Sequence, residues 1–472
     1  MKASKRKIMP IIIISGVVMM VNLACGFSLL GRSEEPEQPE SEEQVVQPSE
    51  TKKEVSEEPP SEVPSEEVKP TTTETVPTVP PLPTVKALEL GKSGFGQDDT
   101  SVGYGFMLTN PNTEFAIDFS EYQLAAYDTN GVVVETQTGY IDLLLPGQTM
   151  GIAGELWLDE GEIIDRLEIR VEDGRAVVTD IVGGLTTKNA AYQPDDYYPK
   201  VVGEVINPFD HEVDDFQIYA LLYDAAGNII GGGNTYASYV PANGTTGIRS
   251  YVTSKGDIAS VELYPMLPNV DFLKAADKVP TDAALLSVNK SGFGEGDYYS
   301  TYAFLVENPN TQYTVLNSFY RIMAYTADNI LLDVSEGYVG VSLPKSVVGV
   351  SGDFYPPEGT TIASMVVQFK SGEYKNTGPM TSFTTENVAL DISGYSPEVT
   401  AIINNPYTVQ VNDLHVYVVL YDDSNDIVGG GFTYLDFIPA SAKSAVEIYV
   451  SYGKTPSRAE VYALFSTLSD IP

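Results

Sequence analysis

Beyond residue 86 the chain alternates short apolar runs of Val, Ile, Leu, Tyr and Phe with clusters of Gly, Pro, Asn and Asp. That punctuation, at a spacing of roughly 8 to 12 residues, is the pattern of strands joined by tight turns. The stretch 182–280 displays it clearly, with strand-length apolar or alternating runs at 201–206, 216–223, 229–235, 247–252 and 260–267. No segment sustains the 3.6-residue period of a helix, so the folded part of the chain is expected to be all-β.

The pattern is also duplicated. Asn110-Pro111-Asn112-Thr113 returns as Asn308-Pro309-Asn310-Thr311, Ser93-Gly94-Phe95-Gly96 as Ser291-Gly292-Phe293-Gly294, and Gly231-Gly232-Gly233 as Gly429-Gly430-Gly431, each 198 residues later. A fainter echo divides each long repeat in half, since Asn110-Pro111 matches Asn207-Pro208 and Tyr127-Asp128 matches Tyr223-Asp224. Four units are therefore expected, at 87–181, 182–280, 281–379 and 380–472. A unit of about 100 residues can close its own core as a sandwich of about seven strands, which favours four beads over one continuous solenoid.

In the second and fourth units a strand ending in Asn207 or Asn405 leads to a strand ending Leu222-Tyr223-Asp224 or Leu420-Tyr421-Asp422, followed by a turn and an outgoing strand closed by Val240-Pro241 in the second. This order resembles the FxLYD family, although Ala220 and Val418 stand where the family carries its Phe. The first unit keeps Tyr127-Asp128, and the third keeps only Tyr325. The resemblance implies four tandem immunoglobulin-like β-sandwich units of an extracellular bacterial lipoprotein, with no catalytic residues and no cofactor.

Charge and the amino terminus refine that picture. Lys2, Lys5, Arg6 and Lys7 precede the apolar run 8–21, the arrangement of a secretory signal. The following Leu23-Ala24-Cys25-Gly26 resembles a bacterial lipobox, with Asn22 at the position usually held by Leu, Val or Ile. The resemblance makes 1–25 a signal peptide and Cys25 the lipidation site, so the chain would meet the membrane through an acyl anchor. The alternative is an uncleaved signal anchor, because 8–30 is long enough to span a bilayer. Both place the rest of the chain outside the cytoplasm. Residues 26–86 are rich in Glu, Pro, Ser and Thr and lack an apolar period, which predicts a disordered, extended acidic stalk. The net charge of -38 at pH 7 argues against nucleic acid, whose binding needs clustered Lys and Arg.

Candidate chemistry is sparse. Cys25 is the single cysteine, so an intrachain disulfide and thiol-rich metal sites are excluded. His211 and His415 do not correspond under the 198-residue offset, and neither stands in a recognisable nucleophile-base arrangement. Tyr-Asp at strand ends, as at Asp224 and Asp422, with Gly131, Gly227 or Asn329 in the turns that follow such ends, fits hairpin chemistry, and the Asn-Pro pairs fit strand termination by proline. The triple glycines fit a bulge or a close sheet contact. Phe95 and Phe293, each between two glycines, together with Tyr298 and Tyr299, are candidate contacts to a partner if their loops project. The expected function is non-catalytic binding or spacing, toward an unknown protein or glycan. A cell-wall glycan or solute binder is the alternative, and it predicts an aromatic pocket between units.

Overall fold

The computed structural model of the chain describes residues 85–195, 197–272, 279–296, 300–467 and 469. The signal segment with Cys25, the stalk as far as residue 84, and Tyr298 and Tyr299 lie outside these. Among the described residues there are 28 strands and no α-helix. They form eight antiparallel sheets, alternately of four and three strands, which pair into four sandwiches of seven strands each.

In the first sandwich the three-stranded sheet holds Glu89–Asp98, Ser101–Thr109 and Thr149–Trp157. The four-stranded sheet centres on Ala116–Tyr127, flanked by Val133–Leu144 on one side and by Arg166–Glu172 and Arg175–Val177 on the other. Alternation turns Tyr122, Leu124 and Ala126 inward against Tyr104, Phe106 and Ile152 of the facing sheet, which is the two-residue period doing what it predicts.

Local chemistry closes each hairpin. Asp128 accepts the amides of Asn130 and Val132, Asp224 those of Ala226 and Asn228, and Asp422 those of Ser424 and Asp426. In the third sandwich Thr326 replaces Asp, and its hydroxyl takes the same two amides, from Asp328 and Ile330. Gly131, Gly227, Asn329 and Asn425 fill the left-handed position of these turns, with φ between 58° and 78°.

The Asn-Pro pairs act through the asparagine more than through the proline. Asn207 is buried and ties three segments together: its Nδ2 donates to the carbonyls of His211 and Pro241, while its Oδ1 accepts the Phe209 amide. Asn110, Asn308 and Asn405 make the matching bonds in the other sandwiches.

The sandwiches are not separate beads. The outer face of the first three-stranded sheet packs on the four-stranded sheet of the second sandwich, and Tyr219, Leu221, Tyr223 and Ile229 belong to the same apolar cluster as Tyr104 and Phe106. The sheets approach closely because glycines line the seam. A β-carbon on Gly103 would lie 2.0 Å from the Thr253 carbonyl oxygen, and one on Gly232 would lie 2.6 Å from that of Tyr104. The third and fourth sandwiches repeat this seam, with Ala303, Val419, Tyr421 and Ile427 in one cluster and Gly430 against Ser351. Each 198-residue repeat is thus a four-layer pair.

A third seam, of different chemistry, joins the two pairs. The outer face of the three-stranded sheet Thr186–Gln193, Lys200–Ile206 and Thr245–Tyr251 meets the outer face of the four-stranded sheet around Tyr313–Tyr325. Val202, Met323, Leu331 and Val334 make a small apolar centre. Around it Arg321, 1% exposed, donates to Glu336 at 2.7 Å, to the Thr246 hydroxyl at 2.7 Å and to the Tyr239 carbonyl at 3.1 Å. Asp333, fully buried, accepts Lys200 at 3.0 Å and Arg249 at 3.3 Å from across the seam, plus the Tyr355 amide at 2.8 Å.

Candidate functional site

The glycine-flanked aromatics occupy strands, which corrects their expected place in projecting loops. Phe95 lies in Glu89–Asp98 and packs on the core of its own sandwich, and Phe293 does the same in Ser287–Glu295. Because successive residues face opposite ways, the flanking glycines point to the neighbouring sandwich, where Gly94 meets Ile229 and Gly96 meets Ile230. The glycines are there for the seam.

The tyrosine of the Tyr-Asp motif also serves seams. Tyr223 packs into the first seam, with the Lys92 ammonium 5.1 Å from its ring centre, and Tyr421 holds the equivalent place beneath Lys290 at 5.4 Å. Burial pushes both phenols up to about 12. Tyr325 reaches across the third seam to donate to Glu204 at 3.3 Å. Asp224 stays at its exposed turn, where hydrogen bonds from Asn228 hold its carboxyl below the usual range.

One class of residue is left exposed at the same place in all four sandwiches. Tyr140, Tyr236, Tyr338 and Tyr434 stand at equivalent positions of the strands Val133–Leu144, Ile229–Val240, Leu331–Ser342 and Ile427–Ile438. They are 49%, 64%, 49% and 64% exposed. Contacts tie neighbouring sandwiches together beside these residues. The Tyr219 hydroxyl reaches the Tyr140 carbonyl at 3.5 Å, and Tyr236 feels the Asp142 carboxylate of the preceding sandwich, which adds to the burial that raises its phenol. Tyr239, Phe319 and Tyr338 form an edge-to-face chain across the third seam, with centroid distances of 5.7 and 5.5 Å. Further aromatics widen the row at its ends. Phe119 stacks on Tyr140 at 5.2 Å, and His415 and Phe432 lie 4.8 and 6.1 Å from Tyr434. Burial lowers the His415 pKa. The spacing that would have revealed this row, Tyr140 to Tyr338 and Tyr236 to Tyr434, is the same 198-residue offset, hidden by the abundance of tyrosine in the chain.

A groove of about 770 Å³ opens between the third and fourth sandwiches. Its walls carry Asn317, Glu373, Lys375, Thr377 and Ser469, with Tyr407 as the single aromatic, and so differ from the aromatic pocket expected of a sugar or solute binder.

No family model matches the chain, and no curated protein matches it. Among solved structures, Escherichia coli alpha-2-macroglobulin activated by porcine elastase is 9% identical, in a match that covers 82% of this chain and 45% of that one at a TM-score of 0.11. The native conformation of the Escherichia coli protein is 11% identical, covering 80% and 32% at a TM-score of 0.11. The chain spans less than half the length of either.

Proposed function

We propose that this chain is a lipid-anchored bacterial surface protein that carries out no chemistry of its own and makes contact with an extended partner through its row of tyrosines. The observation that carries this reading is the exposure of one equivalent tyrosine per sandwich. An aromatic ring that is half out of water, and fixed by a strand beneath it, offers a flat apolar platform with a polar hydroxyl at its tip. Repeating it at each sandwich suits a partner that is itself repetitive, and a glycan strand is the ligand class favoured. The acidity of the chain disfavours densely anionic polymers such as nucleic acid. The lipobox-like Cys25 and the acidic stalk support display beyond a membrane, and the FxLYD resemblance of the second and fourth units supports an extracytoplasmic role.

Retention of the purified chain on insoluble peptidoglycan tests the contact. Binding is expected, with a loss of up to about a thousandfold when all four tyrosines are replaced by Ser, since platforms of this kind contribute on the order of 1 kcal/mol each. Equal retention of both proteins would remove the tyrosine row from the reading, and no retention of either would favour a pure spacer. Cys25→Ala tests the anchor: release from the membrane fraction is expected, whereas continued fractionation with membranes would favour an uncleaved signal anchor.

A further inference from the structure

The seam between the two pairs is a head-to-tail contact, in which the last sheet of one pair meets the first sheet of the next. Such a contact does not close on itself, so a repeated copy of it would propagate into an open chain of molecules. The protein carries both faces a second time. Its last sheet, Thr384–Asp391, Glu398–Asn404 and Lys443–Tyr449, matches the seam sheet Thr186–Gln193, Lys200–Ile206 and Thr245–Tyr251 strand for strand at the 198-residue offset. Its first sheet likewise matches the one that holds Asp333, through Val133–Leu144 and Leu331–Ser342. Both outer faces retain strand backbones of the right length and register to dock.

Their charges differ at the positions that make the ion cluster. Lys200 and Arg249, which close on Asp333, are replaced on the last sheet by Glu398 and Glu447. The place of Asp333 is taken on the first sheet by Glu135. A second molecule docking in the manner of the internal seam would therefore bring two glutamates against one, with no cation between them. The apolar centre is also thinned, since Val202 becomes Thr400 and Met323 becomes Ala125. Like charges placed across an interface cost several kcal/mol and reject the wrong partner.

We infer that these two outer sheets are junction faces whose acidic residues refuse a second copy of this chain. Sedimentation velocity of the full chain in mild detergent at low salt tests this. The natural chain is expected to run as one species. Glu398→Lys with Glu447→Arg restores the cations opposite Glu135, and self-association at least about tenfold tighter is expected, with species of increasing length. Adding Glu135→Lys puts like charges together again and should return a single species. The neutral pair Glu398→Gln and Glu447→Gln, which asks less of folding, should fall between. The inference is overturned if neither tail variant associates more than the natural chain, or if Glu135→Lys leaves the association of the charge-reversed variant unchanged.

Discussion

Gly94 lies so close to the second sandwich that a β-carbon on it would sit 2.0 Å from the Ile229 carbonyl oxygen, and 198 residues later Gly292 faces Ile427 at 2.2 Å. Both contacts are backbone against backbone, with no flexible side chain able to give way. Gly94→Ala is expected to force the first and second sandwiches apart and to cost about 1–3 kcal/mol, the usual penalty of overpacking. Gly184→Ala, where the nearest atom is 3.7 Å from the added carbon, should cost little. Calorimetry of the two variants checks this, and equal melting temperatures would refute the close-contact account of the seam.

The seam between the pairs depends on one carboxylate. Asp333 is buried and balances Lys200, whose side chain is 10% exposed, and Arg249, at 25%. Removing it leaves two cations facing each other and takes away the carboxylate that accepts the Tyr355 amide. Asp333→Ala should therefore destabilise by about 3–5 kcal/mol, well above the effect of removing an exposed pair such as Arg170 and Glu168. Urea unfolding would show it. Replacing Lys200, Arg249 and Asp333 together by apolar residues should recover much of the loss, because no uncompensated charge then remains in the seam.

The strands, the four sandwiches and the repeat at 198 residues could be anticipated, because they rest on local period and on turn residues that act within a few positions of themselves, whereas the packing of the sandwiches into pairs could not. Asp224 is an example: its whole role is spent on Ala226 and Asn228. What stayed hidden depends on contacts between distant segments. Nothing near Gly94 in the chain announces Ile229, 135 residues on, and the same Ser-Gly-Phe-Gly string suits a loop as well as a seam strand. Arg321 reads as an ordinary surface cation until Thr246 and Tyr239 close over it. The tyrosine row belongs to this second kind, since exposure is decided by how far each sandwich overlaps the next.

Phe119 is the one bulky residue at a left-handed position that recurs in all four central strands. Its φ is 58°, its counterparts Asp215, Asn317 and Asp413 lie at 46°, 54° and 54°, and each is skipped in the pairing with the neighbouring strand without a shift in register. Asn and Asp tolerate this left-handed geometry, whereas a large side chain is strained there. Its ring is 63% exposed, so little burial offsets the strain. Phe119→Asn is expected to raise stability by roughly 0.5–1 kcal/mol while weakening any ligand contact made by the Phe119–Tyr140 stack. Thermal unfolding and peptidoglycan retention measured on the same variant separate the two effects. A loss of stability would mean that stacking on Tyr140 outweighs the backbone strain.

Asp353 gives the molecule a pH dependence whose sign can be worked out. It lies in the strand Val347–Phe354, paired with Thr301, and burial pushes its carboxyl up to about 6. Its counterpart Glu155 is shifted in the same direction by burial, although the Thr253 hydroxyl eases the shift by donating to it at 3.2 Å. For Asp353 the folded chain holds a proton that the unfolded chain, with an ordinary Asp near 3.8, has already released. Its contribution is therefore fully present below about pH 4 and is lost as pH rises toward 6, the reverse of a salt-bridged aspartate. At pH 7 the ionised, partly buried carboxylate should cost on the order of 1–3 kcal/mol. Asp353→Asn removes the charge while keeping the shape, so it should stabilise the chain at pH 7 and have little effect at pH 4. Urea midpoints of the two proteins at both pH values decide the matter: a stabilisation of equal size at pH 4 and pH 7 would place its origin elsewhere than in the proton.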